Sequence, residues 1–122
     1  MVFQEDRLFE SMNVYQNWRI VCPRLPFSEA ALLCGKLGMD PQVLQEKPAT
    51  LSGGMRRRVA VGRALCFEAP VVLMDEPFQG LDESTRRRVI ETVKERCLHK
   101  ALLIVTHDPA DADPLGAVRV SL

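Results

Sequence analysis

The run Ser52-Gly53-Gly54 combines residue types that can bind a phosphate group. It stands directly before a stretch of helical composition, so backbone N–H groups and one hydroxyl would be free at a helix N-terminus to bind an anion. The two glycines allow close approach, because a Cβ atom would hold the backbone away from a phosphate. The sequence therefore predicts an anion-binding turn here.

Two adjacent carboxylates, Asp75 and Glu76, stand at the end of the apolar run 70–75. Proteins of the α/β class place their ligands at the carboxyl ends of such strands. There one carboxylate could hold Mg²⁺, directly or through water, while its neighbour polarises a water that attacks a nucleoside triphosphate. An acidic pair at a strand end is also a common structural feature, so the pair alone leaves both interpretations open.

His107 lies in Thr106-His107-Asp108, at the end of the next apolar run. A lone histidine more often caps an element or lies in a core than binds a ligand, although its charge can change near neutral pH. Position alone therefore does not assign His107 a role.

Composition narrows the class of protein. The 122 residues allow one domain, and the 16 basic and 16 acidic side chains leave no net field that would attract nucleic acid or an anionic membrane. No apolar run reaches the roughly 20 residues of a membrane-spanning helix, and the acidic N-terminus lacks a secretory signal. The four cysteines include no C-x-x-C pair, which argues against a zinc site or a disulfide framework and favours reduced, mostly buried thiols.

Two arginine triplets, 56–58 and 86–88, could suggest a nucleic-acid surface. Both fall in predicted helices, and acidic residues flank the second triplet. We interpret the triplets as solvated helix faces, on which arginines pair with acidic side chains at i and i+4 spacing. We therefore expect no nucleic-acid partner.

Alternating strand and helix patterns predict an α/β protein from residue 51 onward. Val89, Val93 and Cys97 recur at helical spacing, and Asp82 or Ser84 can cap their helix. The short apolar runs predict parallel strands covered on both faces. The predicted elements are helices at 54–67 and 82–98, buried strands at 70–75 and 101–105, and a third strand at 117–120.

The first part of the chain predicts a truncated strand at residues 1–4, followed by short helical pieces between prolines over residues 7–50. One helix begins near Ser28 and continues to Leu37 before Gly38. Asp40 can cap a further short turn.

Five segments in order resemble the motifs of ABC-type ATPases. Leu51 to Met55 resembles the signature loop, whose usual form ends in Gln where this chain has Met55, and Val71 to Pro77 resembles the acidic strand of the same family. Gly80 to Asp82 resembles the D-loop, His107 falls at the switch histidine, and Phe3 to Asp6 resembles the Q-loop. On these motifs the chain is identified as a member of the ABC ATPases.

The resemblance implies a fold and a set of site residues. It implies an α/β, P-loop NTPase-type parallel sheet, incomplete and C-terminal in this chain, with a helical subdomain at about residues 5–50 and the signature helix and α/β core at 51–122. ATP and Mg²⁺ are the implied cofactors. The implied catalytic residues are Glu76 and His107, the nucleotide-binding residues are Gln4, Ser52, Gly53, Gly54 and Asp82, and the metal ligands are Asp75 and Gln4.

The resemblance also implies partners and a location. The expected partners are the membrane subunits of a transporter and a second ATPase subunit, and a complementing N-terminal half is a further candidate. The subunit would lie in the cytoplasm, peripheral on the inner face of the membrane. The sequences around Gln4 and Pro77 look most like importer ATPases for nitrate, sulfonate and similar small solutes.

No segment of this sequence reads G-x-x-x-x-G-K-[ST], the loop that holds ATP in the family. We therefore expect a C-terminal portion that is marginally stable and that alone neither binds ATP tightly nor hydrolyses it. Three hypotheses are considered: a transporter ATPase, a non-enzymatic module that supplies its signature loop to a partner's ATP site, and a DNA-repair or chromosome ATPase. The third class carries a long heptad-patterned insertion, and the stretch from Gln4 to Leu51 is too short for one.

Overall fold

The computed structural model describes residues 6–118 and residue 120. Within them the chain forms helices and strands joined by short 3₁₀ turns, and the predicted strand end at residues 1–4 lies outside the described residues. The helices and strands are α1 Val14–Val21, α2 Phe27–Lys36, α3 Gly53–Cys66, β1 Val71–Asp75, α4 Glu83–Arg96 and β2 Ala101–Val105, and the 3₁₀ turns are Pro41–Gln45, Pro48–Thr50, Pro109–Asp111 and Asp113–Leu115.

The prediction of short helical pieces before residue 51 is confirmed. Helix α1 begins at a capping box, in which the Asn13 side chain accepts from the backbone of Gln16 and the Gln16 side chain accepts from the backbone of Asn13. Helix α2 ends just before Gly38, whose φ of 77° suits glycine. Asp40 caps the following 3₁₀ turn by accepting from Gln42 N at 2.8 Å.

The core is organised around the single tryptophan. Trp18 is fully buried between α1 and α3, and its indole N–H donates to the carbonyl of Val59 at 2.9 Å. Gly62 lies beneath the ring, with no room for a larger side chain. Helix α3 therefore runs directly against the helical part of the chain, and it carries the Ser-Gly-Gly turn at its start.

Strands β1 and β2 pair in parallel, from Val71 opposite Ala101 to Asp75 opposite Val105. Helix α4 connects them and buries Val89 and Val93, as the helical spacing predicts. The parallel pairing brings the carboxyl ends of both strands to one edge, where Glu76 and Thr106 follow.

The prediction that both strands are covered on both faces is wrong. Val72 and Met74 are buried, but Val71 is 52% exposed, and Leu103 and Val105 on β2 are 60% and 55% exposed. A run of apolar residues favours burial of both faces of a strand. Here no described element packs on the outer face of β1 and β2.

The predicted third strand at 117–120 is also wrong for the residues that the structure describes. Ala117, Val118 and Val120 form no strand, and Val118 is 92% exposed; Arg119 lies outside the described residues. The β-branched composition favours a strand, but a strand requires a neighbouring edge with which to pair. Among the described residues no helix combines the length and apolar character that a membrane crossing requires.

Candidate functional site

Glu76 takes an unusual conformation at the end of β1. Its backbone N–H donates to the carbonyl of Val105 at 2.8 Å, which continues the pairing of the two strands. Its φ of 47° lies in the left-handed region that residues other than glycine seldom adopt. Such conformations often occur at functional sites, where the surrounding structure maintains them.

The Glu76 carboxylate contacts the imidazole of His107. Glu76 Oε1 lies against His107 Nδ1, and the two side chains differ greatly in exposure, 7% for Glu76 and 90% for His107. The structure therefore brings together the two residues predicted to be catalytic, with the carboxylate on the inside and the imidazole facing solvent.

An open groove of about 490 Å³ lies beside this pair. Its wall is formed by the turn after β1 and by the loop after β2, and it includes Glu76, Phe78, Gln79, Thr106, His107 and Asp111. Glu76 and His107 therefore face space in which a ligand and a water could be placed.

Asp75 is half-buried at the last position of β1. Mg²⁺ in phosphate sites keeps several waters and takes only one or two protein carboxylates, with the substrate's oxygens as further ligands. Asp75, directly before the groove residue Glu76, supplies one carboxylate at this strand end, which fits that donor set. No group of three or more His, Cys, Asp or Glu side chains within residues 6–118 is arranged as a metal cage.

The Ser52-Gly53-Gly54 turn opens α3 as predicted. Ser52 Oγ accepts from Met55 N at 3.2 Å and caps the helix. A Cβ built on Gly54 would lie 3.5 Å from a methyl group of Leu81, so the turn packs against the segment that begins α4. Ser52 and Gly53 are exposed, Gly54 is half-buried, and the turn does not line the groove beside Glu76.

Asp82 is the cap of α4, which decides between the two predicted candidates. Its carboxylate accepts from the backbone of Thr85 at 2.8 Å and from the Thr85 hydroxyl at 3.0 Å. The backbone N–H of Thr85 lowers the pKa of Asp82, because the bond favours the charged form. Gln4, predicted as a nucleotide and metal ligand, lies outside the described residues.

A family model described as ABC transporter matches residues 1–79, which is more than half of the chain. This chain belongs to the ABC transporter family. It is 39% identical over 123 residues to the choline transport ATP-binding protein of Bacillus subtilis, in an alignment covering 94% of the chain and 32% of that relative. It is 36% identical over 120 residues to the thiamine import ATP-binding protein of Salmonella typhimurium, covering 92% of the chain and 51% of that relative.

Solved cassettes of the same family share the fold. The dimeric structure of a bacterial ABC transporter cassette matches with a TM-score of 0.80 and 27% identity, over 93% of this chain and 53% of that one. A dimeric post-hydrolysis state of an ATP-binding cassette, bound to ADP and Pi, matches with a TM-score of 0.79 and the same coverage. The α/β interpretation is thereby confirmed, and the chain spans about a third to a half of the length of the relatives it matches.

In this ABC family chain the arginine triplets are mostly not solvated faces, contrary to the prediction. Arg57 is buried and lies 3.1 Å from Asp6, and burial raises the pKa of that carboxyl more than the nearby arginines lower it. Arg58 donates to the carbonyls of Leu37 and Gly38 at the end of α2. Arg87 forms the expected i and i+4 pair, with Glu83.

Sequence reasoning missed Asp111 and Arg86 at the groove of this family member. Asp111 is 5% exposed, its carboxylate pairs with the Arg86 guanidinium, and it accepts from the Thr106 hydroxyl at 2.6 Å. The only signal was an acidic residue five positions after Thr106, which also fits an ordinary turn.

Proposed function

We propose that this chain forms the C-terminal part of the ATP-binding subunit of an ABC importer, which couples ATP hydrolysis to solute transport. The observation that carries the proposal is the contact of Glu76 with His107 at the carboxyl ends of two adjacent parallel strands. That edge is where α/β proteins bind their ligands.

In the proposed reaction each side chain has a separate task. Glu76 accepts a hydrogen bond from the attacking water and polarises it. His107, exposed at the groove and held against Glu76, contacts the terminal phosphate of ATP. Asp75 and Gln4 would hold Mg²⁺, which when bound neutralises charge on the phosphate oxygens.

The partners and location follow from the proposed function. The matched relatives are described as choline and thiamine transport proteins, so we propose an importer of a small solute, acting with membrane subunits on the cytoplasmic face. Those names give no support to the narrower prediction of a nitrate or sulfonate importer. The matched cassettes are dimers, which supports a second ATPase subunit as partner.

The signature turn is proposed to act on the nucleotide of that second subunit. Ser52, Gly53 and Gly54 are accessible at the start of α3 and lie outside the groove beside Glu76. The Ser52 hydroxyl accepts from Met55 N, which leaves its own proton available for an anion. Asp82, in the segment packed beside this turn, is proposed to contribute to the same shared site.

A chimera tests the hydrolytic role. The N-terminal half of the Salmonella typhimurium thiamine protein, ending where the alignment begins, is joined ahead of residue 1. We expect Mg²⁺-dependent ATP hydrolysis, and Glu76→Gln should lower turnover by about 10²- to 10⁴-fold while ATP binding persists. Glu91→Gln, an exposed change on α4, is the matched control and should leave turnover unchanged. A Glu76→Gln chimera that binds ATP and turns over normally would contradict the assignment.

A non-catalytic module is the second candidate, and the accessible turn at Ser52-Gly53-Gly54, which lies outside the groove beside Glu76, favours it. In that case the chain completes a partner's ATP site and holds no nucleotide of its own. The uncovered outer face of β1 and β2 fits the same view, since a complementing N-terminal half could cover it.

Equilibrium titration separates the two candidates. The 122-residue chain alone should show no micromolar affinity for Mg·ATP by calorimetry. Mixed with a full-length cassette relative in which the residue equivalent to Glu76 is glutamine, it should form an ATP-dependent complex, detected by sedimentation, that Ser52→Arg abolishes. Micromolar ATP affinity of the chain alone would overturn the module hypothesis, and a complex unaffected by Ser52→Arg would overturn action through the signature turn.

A further inference from the structure

The side chain of His107 is 90% exposed, so packing around the ring cannot fix its orientation. Its one side-chain hydrogen bond or ion pair in the described part of the chain is with Glu76. An exposed side chain with one contact takes its direction mainly from its backbone. Whatever holds the backbone on each side of His107 therefore determines whether the imidazole meets Glu76.

Hydrogen bonds and an ion pair hold the residues on both sides of His107. The Thr106 hydroxyl donates to Asp111 Oδ2 at 2.6 Å and accepts from the backbone N–H of Asp108 at 3.1 Å. The Asp108 carboxylate lies 3.4 Å from the Arg86 guanidinium. His107, whose side chain meets Glu76, thus lies between two residues that are held by other parts of the chain.

Asp111 and Arg86 form the centre of this arrangement. Arg86 Nε donates to Asp111 Oδ1 at 2.7 Å, and Arg86 Nη2 contacts the same oxygen. Asp111 is almost fully buried, so both its oxygens are satisfied by protein groups and not by bulk water. Separating this pair would leave a buried carboxylate without its partner, at a large cost in free energy. The pair therefore favours one arrangement of the loop.

Arg86 also connects this loop to a second segment of the site. It lies in the first turn of α4, four residues after the cap Asp82. The segment Gly80 to Asp82 packs against the signature turn at Gly54. The Arg86 side chain therefore links the loop that carries His107 to the segment that touches the signature turn.

We propose that Arg86 and Asp111 are positioning residues that orient His107 toward Glu76 and couple its loop to the start of α4. The importance of that orientation for ATP hydrolysis rests on the proposed function; the coupling itself does not. Together with Thr106, these two residues form the brace.

The test uses the full chain labelled with ¹⁵N in histidine and requires no nucleotide. The sequence contains two histidines, and His99 lies in the exposed turn between α4 and β2, so it provides an internal reference. We expect Asp111→Asn and Arg86→Gln each to move the His107 ring resonances toward those of an unstructured peptide, while those of His99 stay in place. Hydrogen exchange at the Asp108 and Asp111 amides should accelerate by at least about tenfold.

Three controls keep the result specific. Arg87→Gln removes the neighbouring arginine, whose partner Glu83 is exposed, and should change neither readout. The double variant Arg86→Gln/Asp111→Asn should match the single variants, because both act through one contact. Gly62→Ala destabilises the core far from the brace and should leave the His107 ring unmoved in the folded fraction.

Unchanged His107 resonances in the folded Asp111→Asn and Arg86→Gln variants would overturn the proposal. So would an equal displacement in Gly62→Ala, which would indicate general destabilisation. If Asp111→Asn fails to fold, Thr106→Val is the alternative variant, because it removes one hydroxyl at a half-buried position. It must move the ring resonances of His107 and leave those of His99 in place. Unchanged His107 resonances in this folded variant would refute the brace. Because no ATP is present, failure here is distinct from failure of the proposed hydrolytic function.

Discussion

Burial determines the state of the cysteine thiols. It raises the pKa of the Cys66 thiol to about 12 and that of Cys34 to about 11, both above the usual 9.0, because a thiolate loses more on leaving water than a thiol does. The folded chain therefore holds these protons more tightly than the unfolded chain. The resulting stabilisation is fully present below about pH 9 and is lost as the pH rises through the native pKa values.

We expect the free energy of unfolding to fall as the pH is raised from 9 toward 11. Each thiol contributes a slope of at most about 1.4 kcal/mol per pH unit in this window. Urea denaturation, followed by Trp18 fluorescence at several pH values, measures how steeply the free energy of unfolding falls with pH. Cys66→Ala should make this fall less steep, even if the variant is less stable at every pH. An identical slope in Cys66→Ala would show that other groups cause the pH dependence.

The sequence predicted one site for Glu76 and His107 because the resemblance to ABC-type ATPases assigned both residues a catalytic role. Each follows an apolar run, and parallel strands bring such positions to one edge. Asp111 could not be found in this way, because its partner Arg86 is 25 residues away and the pair exists only once α4 has packed beside the loop. The functional assignments of Ser52, Gly53, Gly54 and Asp82 stay predictions.

At the scale of elements, the packing of α1 on α3 depends on a glycine. A Cβ at Gly62 would lie 2.4 Å from the Trp18 ring and 3.1 Å from a methyl group of Leu37. The ring cannot shift freely, since its N–H is bonded to Val59 of the same helix α3. The close approach of the two helices therefore requires the absence of a side chain here.

We expect Gly62→Ala to lower the free energy of unfolding by about 1–3 kcal/mol, because overpacking outweighs the better helix propensity of alanine. The matched control is Gly35→Ala in α2, where a Cβ would meet nothing within 4 Å. That change should be neutral or stabilising by up to about 1 kcal/mol. Chemical denaturation measures both, and equal effects of the two changes would contradict the packing argument.

Local signals predicted the ends of elements well. Asp40 and Asp82 cap their elements through bonds to backbone N–H groups two or three residues ahead, so the sequence alone contains both partners. The arginines of α3 were misjudged because their partners are remote. Arg56, for example, pairs with Glu10, 46 residues earlier.

At the scale of the whole molecule, the described residues leave one face of the sheet uncovered. Val71 and Leu73 on β1 and Leu103 and Val105 on β2 are exposed on the same face of the sheet, with Leu73 directly opposite Leu103. The apolar sequence of both strands correctly indicates a face that favours burial. It cannot indicate whether the covering element belongs to the same chain, and this chain spans only about a third to a half of its relatives' length.

An uncovered apolar face of this kind should cause self-association of the isolated chain. We expect Leu103→Glu to raise the concentration at which oligomers form by at least about tenfold, since a leucine buried in such a contact contributes about 1.5–3 kcal/mol. The same change should alter the stability of the monomer little, because the side chain is already 60% exposed.

Leu98→Glu is the matched control, since Leu98 is 68% exposed but lies in the turn after α4 and not on the sheet. Sedimentation over a range of concentrations should show an unchanged oligomer threshold for this variant. Equal effects of the two glutamates would attribute the change to net charge instead of the sheet face. A wild-type chain that stays monomeric at every concentration would show that the exposed sheet face does not drive association in water. The proposal that a complementing segment covers this face would then lose its physical basis.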